Sequence, residues 1–317
     1  MTFKIIATYA TAAAVLGILV GCAGAGGSGS GNSSADDSSD FADLPAGTAV
    51  VRVEQTGGFV TPQTTFSRVP DLAVYADGRT ITPGPQIRIF PPPALPSLQI
   101  SELSDAQVER IVDIADDAGL LNASVEYGEP NIADATTTVV TIVSEGETYV
   151  HEAYALSSVS LDAPVDPDSD VSEGVTLGID AAAAEARSAL SSFIAEATTI
   201  ASNAEAEQSA VWEPDAYSLR ATPAQAASAG GLDGTDGTDV IDDIAGESPA
   251  PALPWEIADV TLSAAAECVS VEGEQATQLR DQLAAANELS LFKQADGEYQ
   301  VWIRPVYPDE IPCAVAP

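Results

Sequence analysis

The chain has 317 residues, with 48 Asp and Glu against 11 Lys and Arg and a formal net charge of −37. A surplus of that sign repels phosphate backbones and anionic lipid head groups, so it excludes a nucleic-acid-binding role and keeps the protein in solution. The 1 histidine and 3 cysteines are scattered along the chain, and no two of them show the close spacing of a zinc site.

In chain order, residues 1–21 read as a signal peptide. Lys4 supplies the positive end, and an apolar run from Ile5 to Val20 follows. That run is slightly short for a transmembrane helix, which needs about 20 residues, and it has signal-peptide flanks. It ends in Leu19-Val20-Gly21-Cys22, and Gly/Ser-rich chain begins at once. These four residues resemble the lipobox of bacterial lipoproteins, in which the signal is cut before a cysteine that carries a thioether-linked lipid. The resemblance implies lipid attachment at Cys22 and anchoring on the extracytoplasmic face of the cell membrane. The alternatives are an ordinary secretory signal with an incidental cysteine, or an uncleaved anchor. Cleavage would leave Lys293 as the remaining lysine.

Residues 22–46 are rich in Gly, Ser and Asp and have little to bury, which predicts a flexible tether. A β-rich domain with one helix is expected over 47–160. AVVRVEQ alternates around Val51 and Val53, and LAVYADGRTIT places two short apolar strands around Asp77-Gly78, a strong hairpin signal. PPPALP at 91–96 must be an extended connection or an edge, because proline donates no ladder hydrogen bond. Ser97 to Leu103 can return to the sheet. Ser104 and Gln107 then form a capping box, and Val108, Ile111, Val112 and Ala115 make one apolar stripe. Gly119 stands where a left-handed C-cap is needed. Asp113, Asp116 and Asp117 lie off the stripe and read as a solvated face. A second hairpin is expected in TTTVVTIV, a turn at Ser144 to Glu147, and TYVHEAYAL.

Several of these residues carry a further resemblance. Tyr75-Ala76-Asp77-Gly78-Arg79, the Ser-capped helix ending AGLL, Tyr127-Gly128, and Asp134-Ala135-Thr136-Thr137-Thr138 ahead of a hairpin are similar to an uncharacterised secreted bacterial domain. It covers about residues 48–156 of this chain. The C-terminal segment ECVSVEGEQATQLRDQLAAAN … YQVWIRPVYPDE is similar to one in lipoproteins of high-GC Gram-positive bacteria. Both resemblances imply architecture, and neither implies catalytic residues.

Beyond the first domain, residues 161–220 are expected to be a helix-containing connection. Asp180 can cap an Ala-rich helix reaching about Ile200, with Leu190, Phe193, Ile194 and Ala197 on one face, surface-like or loosely packed. Residues 221–252 read as a disordered acidic linker. Residues 253–317 complete an α+β pattern: apolar segments Trp255 to Leu262 and Glu267 to Val271, a helix over about Gly273 to Ala286, and a strand from Tyr299 to Val306. With Cys22 assigned to lipid, Cys268 and Cys313 are expected to form a disulfide, worth roughly 4 kcal/mol by loop-closure entropy; buried free thiols are the alternative. The fold class expected is α+β, with antiparallel β-hairpins packed on one amphipathic helix, then a second α+β segment closed by the disulfide.

Chemistry is sparse. Asp233, Asp236 and Asp239 recur every three residues in GGLDGTDGTDVIDD, but a calcium loop wants acids at every second position with Gly and Glu at set places. They remain weak calcium candidates, and acidic low complexity is the better reading. His151, alone in a predicted strand, reads as a surface or cross-strand residue. Trp212, Trp255 and Trp302 read as core, with a ligand groove as the alternative. No nucleophile elbow and no phosphate-binding glycine loop occurs. The expectation is a membrane-anchored, non-enzymatic lipoprotein with a structural or partner-binding role, no cofactor, and an envelope or cationic partner. A small-ligand or cation-binding module is the alternative. A carboxylate-dependent hydrolase is the remaining one; it needs two acids about 5–9.5 Å apart in a cleft, one with a raised pKa.

Overall fold

Val51 and Val53 leave Arg52 on the opposite side of β1 (Ala49–Gly57), because neighbouring side chains in a strand point to opposite faces. The computed structural model describes residues 41, 44–122, 124–158, 178–203, 209–224, 251–295 and 297–314. β1 sits inside a seven-stranded antiparallel sheet with β2 (Leu72–Tyr75), β3 (Arg79–Pro83), β4 (Leu98–Glu102), β5 (Thr136–Ser144), β6 (Glu147–Tyr154) and β7 (Ala210–Val211), in the order β6-β5-β1-β2-β3-β4-β7. A register shift between Ala49 and Val51 lets Val50 join Val51 and Val53 in the same core.

Both expected hairpins form. Ala73 faces Ile81 and Val74 faces Thr80 across the Asp77-Gly78 turn, where Gly78 has φ +82°. A Cβ on Gly78 would run into the Leu103 carbonyl, so this position needs glycine for space as well as for φ. In the second hairpin Thr137–Ser144 pairs residue by residue with Tyr154–Glu147.

The helix α2 (Asp105–Asp117) begins and ends as its sequence predicts. The Ser104 backbone N–H donates to Gln107 Oε1 at 2.9 Å. At the other end Gly119, φ +72°, donates to the Asp116 carbonyl and Leu120 to that of Ala115, the two bonds of a Schellman motif. Val108, Ile111, Val112 and Ala115 are buried against Val51, Val53, Leu72, Val74, Val140 and Ile142. Asp113, Asp116 and Asp117 are exposed.

One difference is that α2 does not cover the sheet alone. The Ala-rich helix α3 (Ala181–Asn203), capped by Asp180 Oδ1 accepting from the Ala183 N–H at 2.8 Å, buries Leu190, Phe193, Ala197 and Ala201 in the same core. It is packed firmly rather than loosely. Small Ala side chains let its axis come close, and the two large residues fill what remains.

β2 is buried at all four positions of LAVY. Leu72 and Val74 meet the helices, while Ala73 and Tyr75 join Ile81, Leu98 and Tyr307 in a second cluster on the sheet's other face. A short helix α1 (Pro62–Ser67), capped by Thr61, lies between β1 and β2 and has no counterpart in the sequence reading.

Residues 216–223 straddle the expected border between connection and linker. They form β8 (Ala216–Pro223), an inner strand of a second sheet ordered β10-β8-β12-β11-β9. Its other strands are β9 (Leu253–Pro254), β10 (Val269–Glu272), β11 (Leu291–Gln294) and β12 (Gly297–Pro305). Pairing is antiparallel except between β9 and β11. Trp255 to Thr261 is loop and runs into a 3-10 turn at Leu262–Ala266, placing Trp255, Ile257, Val260 and Leu262 in one core with the helix α4 (Glu274–Leu283), whose Ala276, Leu279 and Leu283 complete it. The unit Ser38–Pro317 contains all three clusters, built from residues 41–307.

Cys268 and Cys313 are joined by a disulfide with Cα atoms 5.8 Å apart. It fastens the end of the chain to the approach of β10. Replacing both by Ser should lower stability by about 2–4 kcal/mol, read as a shifted urea midpoint of the oxidised protein; an unchanged midpoint would show the bridge to be idle.

Candidate functional site

Three places concentrate polar chemistry or open space among the described residues. The first joins the two sheets. Arg52 reaches from β1 to the tail after β12, where Nη1 donates to both carboxylate oxygens of Asp309 at 2.9 and 3.0 Å and Nη2 donates to Glu310. Arg304 holds the same Glu310 at 2.5 and 2.7 Å, and its Nε donates to the Arg68 carbonyl. Tyr75 donates to Asp309 at 3.0 Å, and Tyr307 lies under the Arg52 guanidinium and against Trp212.

Burial by itself would raise the Glu310 carboxyl, but hydrogen bonds from Arg304, the charges of Arg52 and Arg304 and the Tyr307 N–H hold it below the usual glutamate value. Burial also pushes the Tyr75 hydroxyl up, with the Asp309 charge adding to it. A hydrolytic general acid needs a carboxyl held up, so Glu310 is unsuited to that part. The residues IRPVYPDE, noted for their resemblance, thus supply a clamp between sheets.

The second place is the inner side of the β6 edge. His151 is buried, not at the surface. Its Nε2 lies 2.7 Å from the Leu120 carbonyl, which can only accept, so Nε2 carries the proton and Nδ1 accepts from the Tyr127 hydroxyl at 2.9 Å. The ring therefore ties β6 to the C-cap of α2, with no nitrogen left for a substrate. Beside it Arg187 of α3 is 1% exposed, donates to the carbonyls of Tyr127 and Tyr154, and has no carboxylate partner among the described residues. Desolvation lowers its pKa from the ordinary arginine value. Neither role has a local sequence signal, because each partner is remote in the chain. An open slot of about 430 Å³ beside His151 and Tyr127 is edged by Glu126, Glu129 and Glu152.

The third place is a cavity of about 690 Å³ between α1, the proline-rich loop and β12. Thr64, Ser67, Arg68, Gln86 and Gln300 line it together with Val69, Leu95, Leu289 and Trp302. Ile87 and Leu289 on its wall are exposed, as are Phe59 and Val60, just ahead of its Thr61 in the chain, and Ile89 and Phe90, just past Ile87, with Phe59 at 87% and Phe90 at 86%. The loop is braced from behind. Gln86 Nε2 donates to the carbonyls of Gly84 and Ser97, Ala94 N–H to that of Ala286, and Glu288 N–H to that of Pro92. PPPALP was legible as an extended connection or an edge, but the exposure of the apolar residues in QIRIF just ahead of it was not.

Of the residues singled out from sequence, Cys268 and Cys313 meet. Trp255 is core, its Nε1 donating to the Val260 carbonyl at 3.0 Å, whereas Trp302 lines the cavity. Cys22, Asp233, Asp236 and Asp239 lie outside the described residues. Among the described residues no group of three or more His, Cys, Asp or Glu is placed to hold a metal ion, and no helix is long and apolar enough to cross a membrane. No family model, curated protein or solved structure matches this chain.

Proposed function

We propose that this protein is a lipoprotein anchored through Cys22 to the extracytoplasmic face of the cell membrane, with a non-enzymatic structural or partner-binding role. The observation that carries the address is Leu19-Val20-Gly21-Cys22 at the end of an apolar run, followed at once by a Gly/Ser-rich stretch. A disulfide between the two other cysteines agrees with an oxidising compartment. The partner-binding part is supported by the exposed apolar side chains beside the cavity, since several large apolar residues left in water on a strongly charged protein mark contact. A small-ligand module is the second reading, favoured by a cavity of about 690 Å³, within the range of ligand sites.

Replacing Cys22 by Ser should remove the lipid mass from the mature N-terminus and shift the protein out of the detergent phase, or leave an unprocessed precursor. Mass spectrometry and detergent partitioning check it, and unchanged mass and partitioning would overturn the lipoprotein reading.

A further inference from the structure

We propose that the rim formed by Phe59–Val60 and Ile87–Phe90 docks into the surface of the lipid bilayer, so that the folded body lies against the membrane. This rests on the membrane address proposed above. Four observations point to lipid. First, the side chains project from two loops beside the cavity and are exposed individually, which suits a fluid surface that needs no matching concavity. Second, the loop between Pro83 and Pro96 is rich in proline, and Pro91, Pro92 and Pro93 have no N–H to strip of water when the tip enters the head-group layer. Third, Arg88 stands exposed between Ile87 and Ile89 with no carboxylate partner among the described residues. A guanidinium among apolar side chains matches the phosphate lying just above the acyl chains.

The fourth observation is reach. The residues from Cys22 to Leu44 can span at most about 75 Å, so a lipid at Cys22 keeps the body near the bilayer and raises the local concentration of any weakly inserting tip. A second copy of the chain is a poor occupant, because two bodies of net charge near −37 repel each other. The same repulsion makes zwitterionic lipid the surface of choice.

The test uses the chain from residue 22 onward with Cys22→Ser, which carries no acyl group and retains every residue of the three cores, 41–307. It is floated with phosphatidylcholine vesicles at millimolar lipid, beside the triple variant Ile87→Ser, Ile89→Ser, Phe90→Ser, with matched thermal melts as the folding control. The expected result is vesicle binding by the parent and at least a tenfold loss of bound fraction in the triple variant. No binding by the parent, or equal binding by both, would overturn the proposal and return the rim to a protein partner. Because the acyl group is absent from this experiment, failure of the lipoprotein reading shows separately, in the mass of the native N-terminus.

Discussion

Glu310→Gln should destabilise the protein by about 3–5 kcal/mol, the effect of leaving a buried charge without its partner. The carboxylate is shared by Arg52 and Arg304, which are 9% and 5% exposed; its removal leaves Arg304 without a carboxylate partner among the described residues, while Arg52 keeps Asp309 and Glu54. It also cuts one of the ties between β1 in one sheet and β12 in the other, the Arg52–Asp309 pair remaining. Urea unfolding checks this, and a change below about 1 kcal/mol, the value of an exposed pair, would show that water screens the cluster.

A pH dependence accompanies it. The folded carboxyl titrates below the ordinary value of 4.5, so its stabilising part is complete above that value and is lost as pH falls through the lowered folded pKa. The wild type should therefore lose stability steeply below about pH 4.5, and Glu310→Gln should show a flatter fall over the same range. Parallel curves for the two proteins would remove Glu310 as the cause.

The second large effect is expected at α2. Val112 is 8% exposed and packs in the core shared with β1, β2 and β5, so Val112→Asp would bury a charge among aliphatic side chains. Either the carboxylate is desolvated without a partner or it takes up a proton, and both routes cost several kcal/mol. At about 2–4 °C per kcal/mol for a body of this size, the melting midpoint should drop by about 10 °C or more. Asp116→Ala, one turn on and exposed, should stay within about 0.5 kcal/mol of wild type. Similar midpoints for the two variants would show that the stripe is not buried as described.

The two predictions separate what is written locally from what is not. The stripe Val108, Ile111, Val112, Ala115, its Ser104 cap and its Gly119 stop could be read from the one stretch Ser104 to Gly119, because 3.6-residue periodicity and capping depend on near neighbours. The Asp77-Gly78 hairpin is equally local, and the disulfide followed from redox compartment and elimination. By contrast, AYSLRATP gives little sign that it is β8, whose partners β10 and β12 lie about 50 and 80 residues later. LAVY reads as a strand, but burial on both faces depended on Tyr307 arriving from the other end of the chain.

The same holds for the polar sites. Arg52 in AVVRVEQ looks like the outward position of a half-exposed strand; only the return of Asp309 and Glu310 to that face, 257 and 258 residues away, turned it into a buried ion cluster. His151 reads from sequence as a surface or cross-strand residue; it does face Val140 across the hairpin, but Leu120 and Tyr127 close over it. The sequence by itself determined the composition, the local elements and their caps, because these depend on nearest neighbours and covalent chemistry. Tertiary structure alone decided which charges are buried, which strand is central and which apolar residues stay wet at Phe59 and Phe90, because burial and strand pairing are set by contacts between segments far apart in the chain.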